Sequence, residues 1–337
     1  MCSRRYVITA ILIAFLGAAN AFSLEIPPLE VSLAASAGII SGNAKEFVYA
    51  NDNTISELVW PLDPVYALGL DTQFVWGKKL GIAVNVSMGL PRDAGTLTDT
   101  DFLNVTVNGS DAKTDYSEHD ARLNHLVLID LAASWTYWLP LRGPASKTSI
   151  TITPSIGFRY FSLKWTGSDG YGQYTYGKSD WSESLPKTEF SGRVIEYRQR
   201  YIAPLAGIAV NLPVGAHFAV EAAVTGSPAV WCDGTDSHML TKKDYHDYLS
   251  GGILLEPRAR VSWAPQPTLN IFADCAWTRI FNLRGPTEKT DLTTGNTTAY
   301  SKKNGGGAEY TAWTMKLGVK KTFKAAKSSR VHEREEA

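Results

Sequence analysis

Leu80-Gly81-Ile82-Ala83-Val84-Asn85-Val86-Ser87-Met88-Gly89-Leu90 is the stretch that decides the fold. Each even position carries a large apolar side chain, and each odd position a small or polar one. A period of two is the signature of a strand with one greasy face. In a soluble sandwich that face would be the core. In a membrane barrel it meets lipid, while the small and polar face fills the lumen.

The pattern recurs outward from that stretch. Val31, Leu33, Ala35, Ala37 and Ile39 alternate with Ser32, Ala34, Ser36 and Gly38, and Val127, Ile129, Leu131 and Ala133 alternate with Leu128, Asp130 and Ala132. Phe218, Val220, Ala222 and Val224 alternate with Ala219 and Glu221; Leu269, Ile271, Ala273 and Cys275 alternate with Asn270, Phe272 and Asp274. Asp130, Glu221 and Asp274 thus fall on the inner face, where water or partners can satisfy them. Strands are predicted near 29–42, 55–76, 80–98, 115–139, 147–165, 192–211, 217–231, 244–263, 268–281 and 308–323. Short Gly- or Pro-containing turns (77–79, 140–146, 212–216, 264–267) alternate with longer polar segments (43–54, 99–114, 166–191, 232–243, 282–307). Short turns on the periplasmic side and long loops outside are the habit of outer-membrane barrels. Trp76, Trp135, Tyr137 and Trp138 suit the aromatic girdles. Several predicted strands exceed the roughly 9–11 residues a tilted strand needs to cross a bilayer, so the barrel should stand above it. Closure is required because lipid leaves no partner for an open sheet edge.

The ends and the composition fit export. Residues 1–21 read as a secretory signal peptide: Arg4 and Arg5, an apolar run Val7–Ala18, then the small-x-small site Ala19-Asn20-Ala21. The barrel is expected over 22–323, ending on Phe323, with a charged, disordered periplasmic tail over 324–337. Lys plus Arg and Asp plus Glu number 33 each, a balance that argues against a nucleic-acid partner. Cys232 and Cys275 fall two strands apart at different heights, so no disulfide is expected between them.

Four segments, in order along the mature chain, carry a family resemblance: Ser41-Gly42-Asn43-Ala44-Lys45-Glu46, Thr114-Asp115-Tyr116-Ser117-Glu118-His119-Asp120-Ala121-Arg122-Leu123-Asn124, Tyr197-Arg198-Gln199-Arg200-Tyr201 and Gly305-Gly306-Gly307-Ala308-Glu309-Tyr310. Together they resemble the omptins, a family of outer-membrane proteases of Gram-negative bacteria whose active site faces the exterior. The resemblance maps an aspartate pair onto Asp99 and Asp101 in one outer loop, and an Asp-x-His onto Asp236 and His238 in a facing loop. It implies an endopeptidase that uses neither metal nor coenzyme. With no Ser or Cys nucleophile in either pair, water must attack the peptide. His238 would take the proton, Asp236 would hold the imidazole, and Asp99 with Asp101, sharing a proton, would face them.

Strand parity tests this mapping. Asp99 and Asp101 continue the inward odd positions of 80–90, and Glu46 continues the inward even positions of the first strand. Asp236 and His238 share parity with outward Phe218 and Val220, so a one-residue bulge is required near Gly226–Pro228. His246, in Asp244-Tyr245-His246, repeats the Asp-x-His spacing and is the rival to His238. The resemblance implies cleavage beside basic residues through acidic pocket groups. Glu46 matches one of them; the second position is Gly234, with Asp233 adjacent. Cationic peptides or proteins are the expected substrates. The resemblance further implies that lipopolysaccharide on the barrel wall is needed for activity, with Arg198, Arg200 and Lys164 as candidate phosphate ligands. The alternative is a catalytically weak or inactive barrel of the same shape that serves as an adhesin or receptor.

Overall fold

A computed structural model describes residues 28–107, 109–140 and 149–324. The readings of 1–21 as a signal peptide and of the tail beyond Lys324 lie outside these residues, as does most of the 140–146 turn. The chain forms an all-β ring of ten strands. We number them β1 (Leu29–Ala50), β2 (Asn53–Trp76), β3 (two segments, Leu80–Gly89 and Arg92–Asp101), β4 (Asp115–Trp135), β5 (Ser149–Tyr174), β6 (Arg193–Val214), β7 (Phe218–His238), β8 (Lys243–Gln266), β9 (Leu269–Asp291) and β10 (Thr297–Lys324). Each pairs antiparallel with its sequence neighbours, and β10 pairs with β1 from Glu30↔Lys324 to Val48↔Gly306, which closes the barrel.

The lower half follows the alternation. Leu33, Leu68, Leu70, Met88, Leu131, Ile156, Val220, Val261, Leu317 and Val319 point outward and are exposed. This is the lipid band, which spans roughly residues 31–41 of β1 and the facing stretches of its neighbours. Its partners across the wall, such as Ser32 and Ser87, are buried inside. Trp135, Tyr137 and Trp138 are exposed at one rim, as interfacial aromatics should be.

Above the band the strands run on much further than the sequence suggests. The 43–54 segment is continuous strand apart from a two-residue turn at Asn51 and Asp52, both at positive φ (50° and 66°) as a tight hairpin turn requires. Residues 232–238 belong to β7, and 282–291 to β9. The polar loops expected there are therefore barrel wall. The alternation is hidden because the outward face of this extension meets water, so neither face needs to be uniformly apolar. The tail boundary also moves by one residue, since Lys324 still pairs in β10.

Inside, two layers lie beneath the outer mouth. In the membrane-level lumen, Arg159 donates to Asp130 (2.7 and 2.7 Å) and to Glu256 (2.6 and 3.0 Å). Arg258 pairs with Glu221 at 2.6 Å, and Arg260 with Asp274. These charges line a cavity of about 300 Å³, too small and too crowded for a wide channel. Above it, Trp60, Trp165, Tyr197, Phe161 and Tyr201 form a buried aromatic layer; Trp60 stacks on Tyr197 at 5.2 Å, and Trp165 Nε1 donates to the Pro61 carbonyl at 3.0 Å. Each such side chain contributes roughly 1.5–3 kcal/mol by burial, so the layer seals the lumen and gives the mouth a rigid floor.

Candidate active site

The mouth is built by strands, and two bulges set which side chains enter it. In β7, Ile202↔Trp231 and Ala206↔Gly226 leave one extra residue in the stretch between Gly226 and Trp231. Ser227 Oγ accepts from the Ala229 amide at 3.2 Å within that stretch. Below the bulge the even residues Val220 and Val224 are exposed; above it the even residues Val230, Cys232 and Asp236 are buried. The bulge required by parity is present, and it turns Asp236 and His238 inward. In β3 the odd residues face inward at both ends, but not through an unbroken strand. Pairing pauses at Leu90-Pro91, a shift follows between Asp93 and Gly95, and Ala94 between them is fully buried. The two irregularities cancel, leaving Leu97, Asp99 and Asp101 inward.

These turns bring the predicted residues together. His238 Nε2 donates to Asp236 Oδ2 at 2.5 Å. The ring of His238 rests edge-on against Tyr245, with centroids 5.2 Å apart. Ser56 Oγ donates to Asp99 Oδ1 at 3.2 Å. Asp99 and His238 lie within electrostatic reach of one another, as do Asp99 and Asp236. Glu46 is buried at 4% exposure, and both its Oε2 and Asp236 Oδ1 accept no hydrogen bond.

The electrostatics follow from burial without cations. Burial first, then the charge of Asp101, pushes the Asp99 carboxyl up to about 7. Burial takes Asp101 up to about 6. Burial, then the charges of Asp236 and Asp247, raises Glu46 well above the usual carboxylate range. For His238, burial opposes the imidazolium, but the Asp236 carboxylate and its hydrogen bond, helped by Asp99, outweigh it and raise the ring above its ordinary value.

Other expectations divide. His246 faces outward and bonds Asp233 at 3.0 Å, so it is not in the mouth. Asp233 is a correction: it shares the outer face with exposed Trp231, where Arg200 donates to it at 2.5 Å, and it cannot line the pocket. Odd and even positions alternate sides, so its neighbour Gly234 faces inward in its place. Arg198, Arg200 and Lys164 lie together on the outer wall, Lys164 opposite Arg198 in register. Lys164 pairs with Glu196 at 2.7 Å, and Arg198 donates to Thr235 at 3.1 Å. Cys232 and Cys275 are free thiols. Ser56, Tyr245 and Asp247 were missed by sequence reasoning. For Tyr245 and Asp247 the available signal was Gly251-Gly252: Gly251 at φ +76° marks a shift in β8 above which the odd residues face inward.

Known proteins resemble this chain in sequence and in fold. The chain is 26% identical over 299 residues to the plasminogen activator of Yersinia pestis, covering 86% of this chain and 90% of that one. It is 23% identical over 325 residues to Protease 7 of Escherichia coli strain K12, covering 92% and 96%. The crystal structure of the outer membrane protease OmpT from Escherichia coli superposes with a TM-score of 0.77 at 22% identity, over 89% of this chain and 99% of that one. The Omptin family model matches residues 27–323, and the chain belongs to the omptin family of outer-membrane proteases.

Proposed function

We propose that the mouth hydrolyses peptide bonds beside basic residues by direct attack of water. The observation that carries this reading is the Asp236–His238 hydrogen bond at 2.5 Å, set opposite Asp99 and Asp101 on the same inward face. Because Nε2 is engaged by Asp236, the lone pair of Nδ1 is the base. It takes a proton from water as the oxygen attacks the carbonyl, and Asp236 stabilises the imidazolium so formed. Asp99 and Asp101 cannot both ionise readily, so one retains a proton near neutrality. That carboxyl can donate to the developing oxyanion, while its ionised partner orients the water. His238 then returns its proton to the departing amine.

Charge selects the substrate. Glu46, Asp99, Asp101 and Asp236 crowd the mouth with acids and no lysine or arginine partner, so an entering cation is favoured and promotes their ionisation. On the outer wall, Arg198 Nε and Arg200 Nε are buried donors without partners, just above exposed Ile202. A lipid A phosphate from lipopolysaccharide would satisfy them, and it is the proposed requirement for activity.

The test is hydrolysis of a fluorogenic peptide with a dibasic core by the folded protein, with and without lipopolysaccharide. Cleavage that depends on lipopolysaccharide is expected. No cleavage under either condition would sink the endopeptidase reading and leave a binding role for the mouth.

A further inference from the structure

Gly234 and Asp247 are direct partners across β7 and β8, both on the inward face. A Cβ placed on Gly234 would stand 3.2 Å from Asp247 Cβ and 3.2 Å from Asp247 Oδ2. One placed on Gly306, in β10, would stand 2.5 Å from Asp247 Oδ1. Two glycines, on either side, thus leave the volume that the Asp247 carboxylate fills. Thr287 Oγ1 on β9, between them, donates to Asp247 Oδ1 at 2.5 Å and fixes its orientation. From β7 to β1, the wall therefore presents Gly234, Asp247, Thr287, Gly306 and Glu46 as one continuous arc.

That arc holds two buried carboxylates, Asp247 and Glu46, each 4% exposed and within electrostatic reach of one another. Neither has a Lys or Arg partner among the described residues, and Glu46 Oε2 meets no hydrogen bond of good geometry, with only the Trp60 indole N–H near it. A buried carboxylate left in this state is costly unless something brings it a donor. The arc is also next to the proposed chemistry: Gly234 is two residues from Asp236 on the same face, a separation of roughly 6–7 Å along a strand. A cationic side chain entering the mouth would reach both carboxylates and return to them the pairing that the fold withholds.

We propose that Asp247, lodged in the space vacated by Gly234 and Gly306, forms with Glu46 the binding pocket for a guanidinium or ammonium side chain of the substrate. This rests on the mouth being the peptide site. It assigns the second acid of the pocket to β8 instead of β7. A side chain at 234 would crowd the one at 247, so the acid that β7 lacks at Gly234 is supplied across the ladder by β8.

The test separates binding from cleavage. Full-length protein in lipopolysaccharide-containing detergent is titrated with two labelled peptides whose scissile amide is N-methylated. They differ only in carrying arginine or the neutral isostere citrulline. The wild type should hold the arginine peptide tighter by about tenfold or more, the usual consequence of pairing a buried charge. Asp247→Asn should remove most of that ratio. Asp247→Gly should do the same, and the double change Gly234→Asp with Asp247→Gly should restore it by supplying the acid from β7. Folding is checked by the heat-dependent shift in gel mobility of a closed barrel. An unchanged ratio in folded Asp247→Asn overturns the proposal, as does a folded double variant that regains nothing. The unmodified arginine peptide reports separately on the chemistry. Binding with arginine preference but no cleavage would refute proteolysis and leave the pocket standing. Cleavage with a preference indifferent to Asp247→Asn would do the reverse.

Discussion

The lumen and the mouth of this barrel are both lined with carboxylates, and they treat them in opposite ways. At membrane level four acids of the lumen are ion-paired to arginines: Asp130 and Glu256 share Arg159, Glu221 has Arg258, and Asp274 has Arg260. At the mouth Glu46, Asp99, Asp101, Asp236 and Asp247 have no arginine or lysine ion-pair partner among the described residues, and a single histidine stands among them. Between the two lies the aromatic layer of Trp60, Trp165 and Tyr197. Pairing makes the lumen charges part of the structure. Burial without a cationic partner raises the pKa of Glu46, Asp99, Asp101 and Asp247 and leaves them available to water, protons and substrate cations. The same residue type is thus scaffold in one layer and chemistry in the other, and the difference lies in what the facing strands supply.

That contrast can be broken in a graded way. The largest effect is expected at the mouth: Asp236→Asn leaves the barrel intact but deprives the imidazole of its carboxylate, and kcat/KM for a dibasic peptide should fall by roughly 10²–10⁴-fold. In the lumen, Arg159→Met leaves Asp130 and Glu256 buried and uncompensated. It should cost about 3–5 kcal/mol of stability, read as a lower unfolding midpoint in denaturant, with turnover per folded molecule maintained. The smallest effect runs the other way. Asp99 keeps its proton in the folded state up to about 7, whereas an unfolded aspartate releases it near its ordinary value of 3.8. The folded form therefore loses stability as pH rises between those values. Asp99→Asn should abolish that loss, so that the variant is more stable than the wild type at pH 8 and no more stable near pH 3. Destabilisation at pH 8 would mean that the mouth carboxyls are structural after all.

The same division explains what the sequence could disclose. The lipid band is legible because lipid enforces one chemistry on every outward position, so the alternation of residues 80–90, repeated along the chain between short turns and long loops, discloses the barrel. The upper wall is not, because water on its outside accepts any side chain. Residues 232–238 and 282–291 consequently read as loops although they are strand. For Asp236 and His238, parity exposed the conflict and demanded a bulge that β7 contains. For Asp99 and Asp101 the inward direction was correct, but it arises from two irregularities that compensate. Asp233 was misplaced because adjacency along a strand puts a residue on the opposite face. The inward neighbour of the position at 234 lies instead across the ladder, at Asp247, a pairing that only register reveals.

The most direct measurement is the rate of dibasic-peptide hydrolysis by folded, lipopolysaccharide-reconstituted His238→Ala against wild type, with the unfolding midpoint of both recorded in the same preparation. A rate lower by about 10²-fold or more at an unchanged midpoint is expected if His238 is the base of an unpaired acidic mouth. A folded His238→Ala variant that cleaves at the wild-type rate would contradict it.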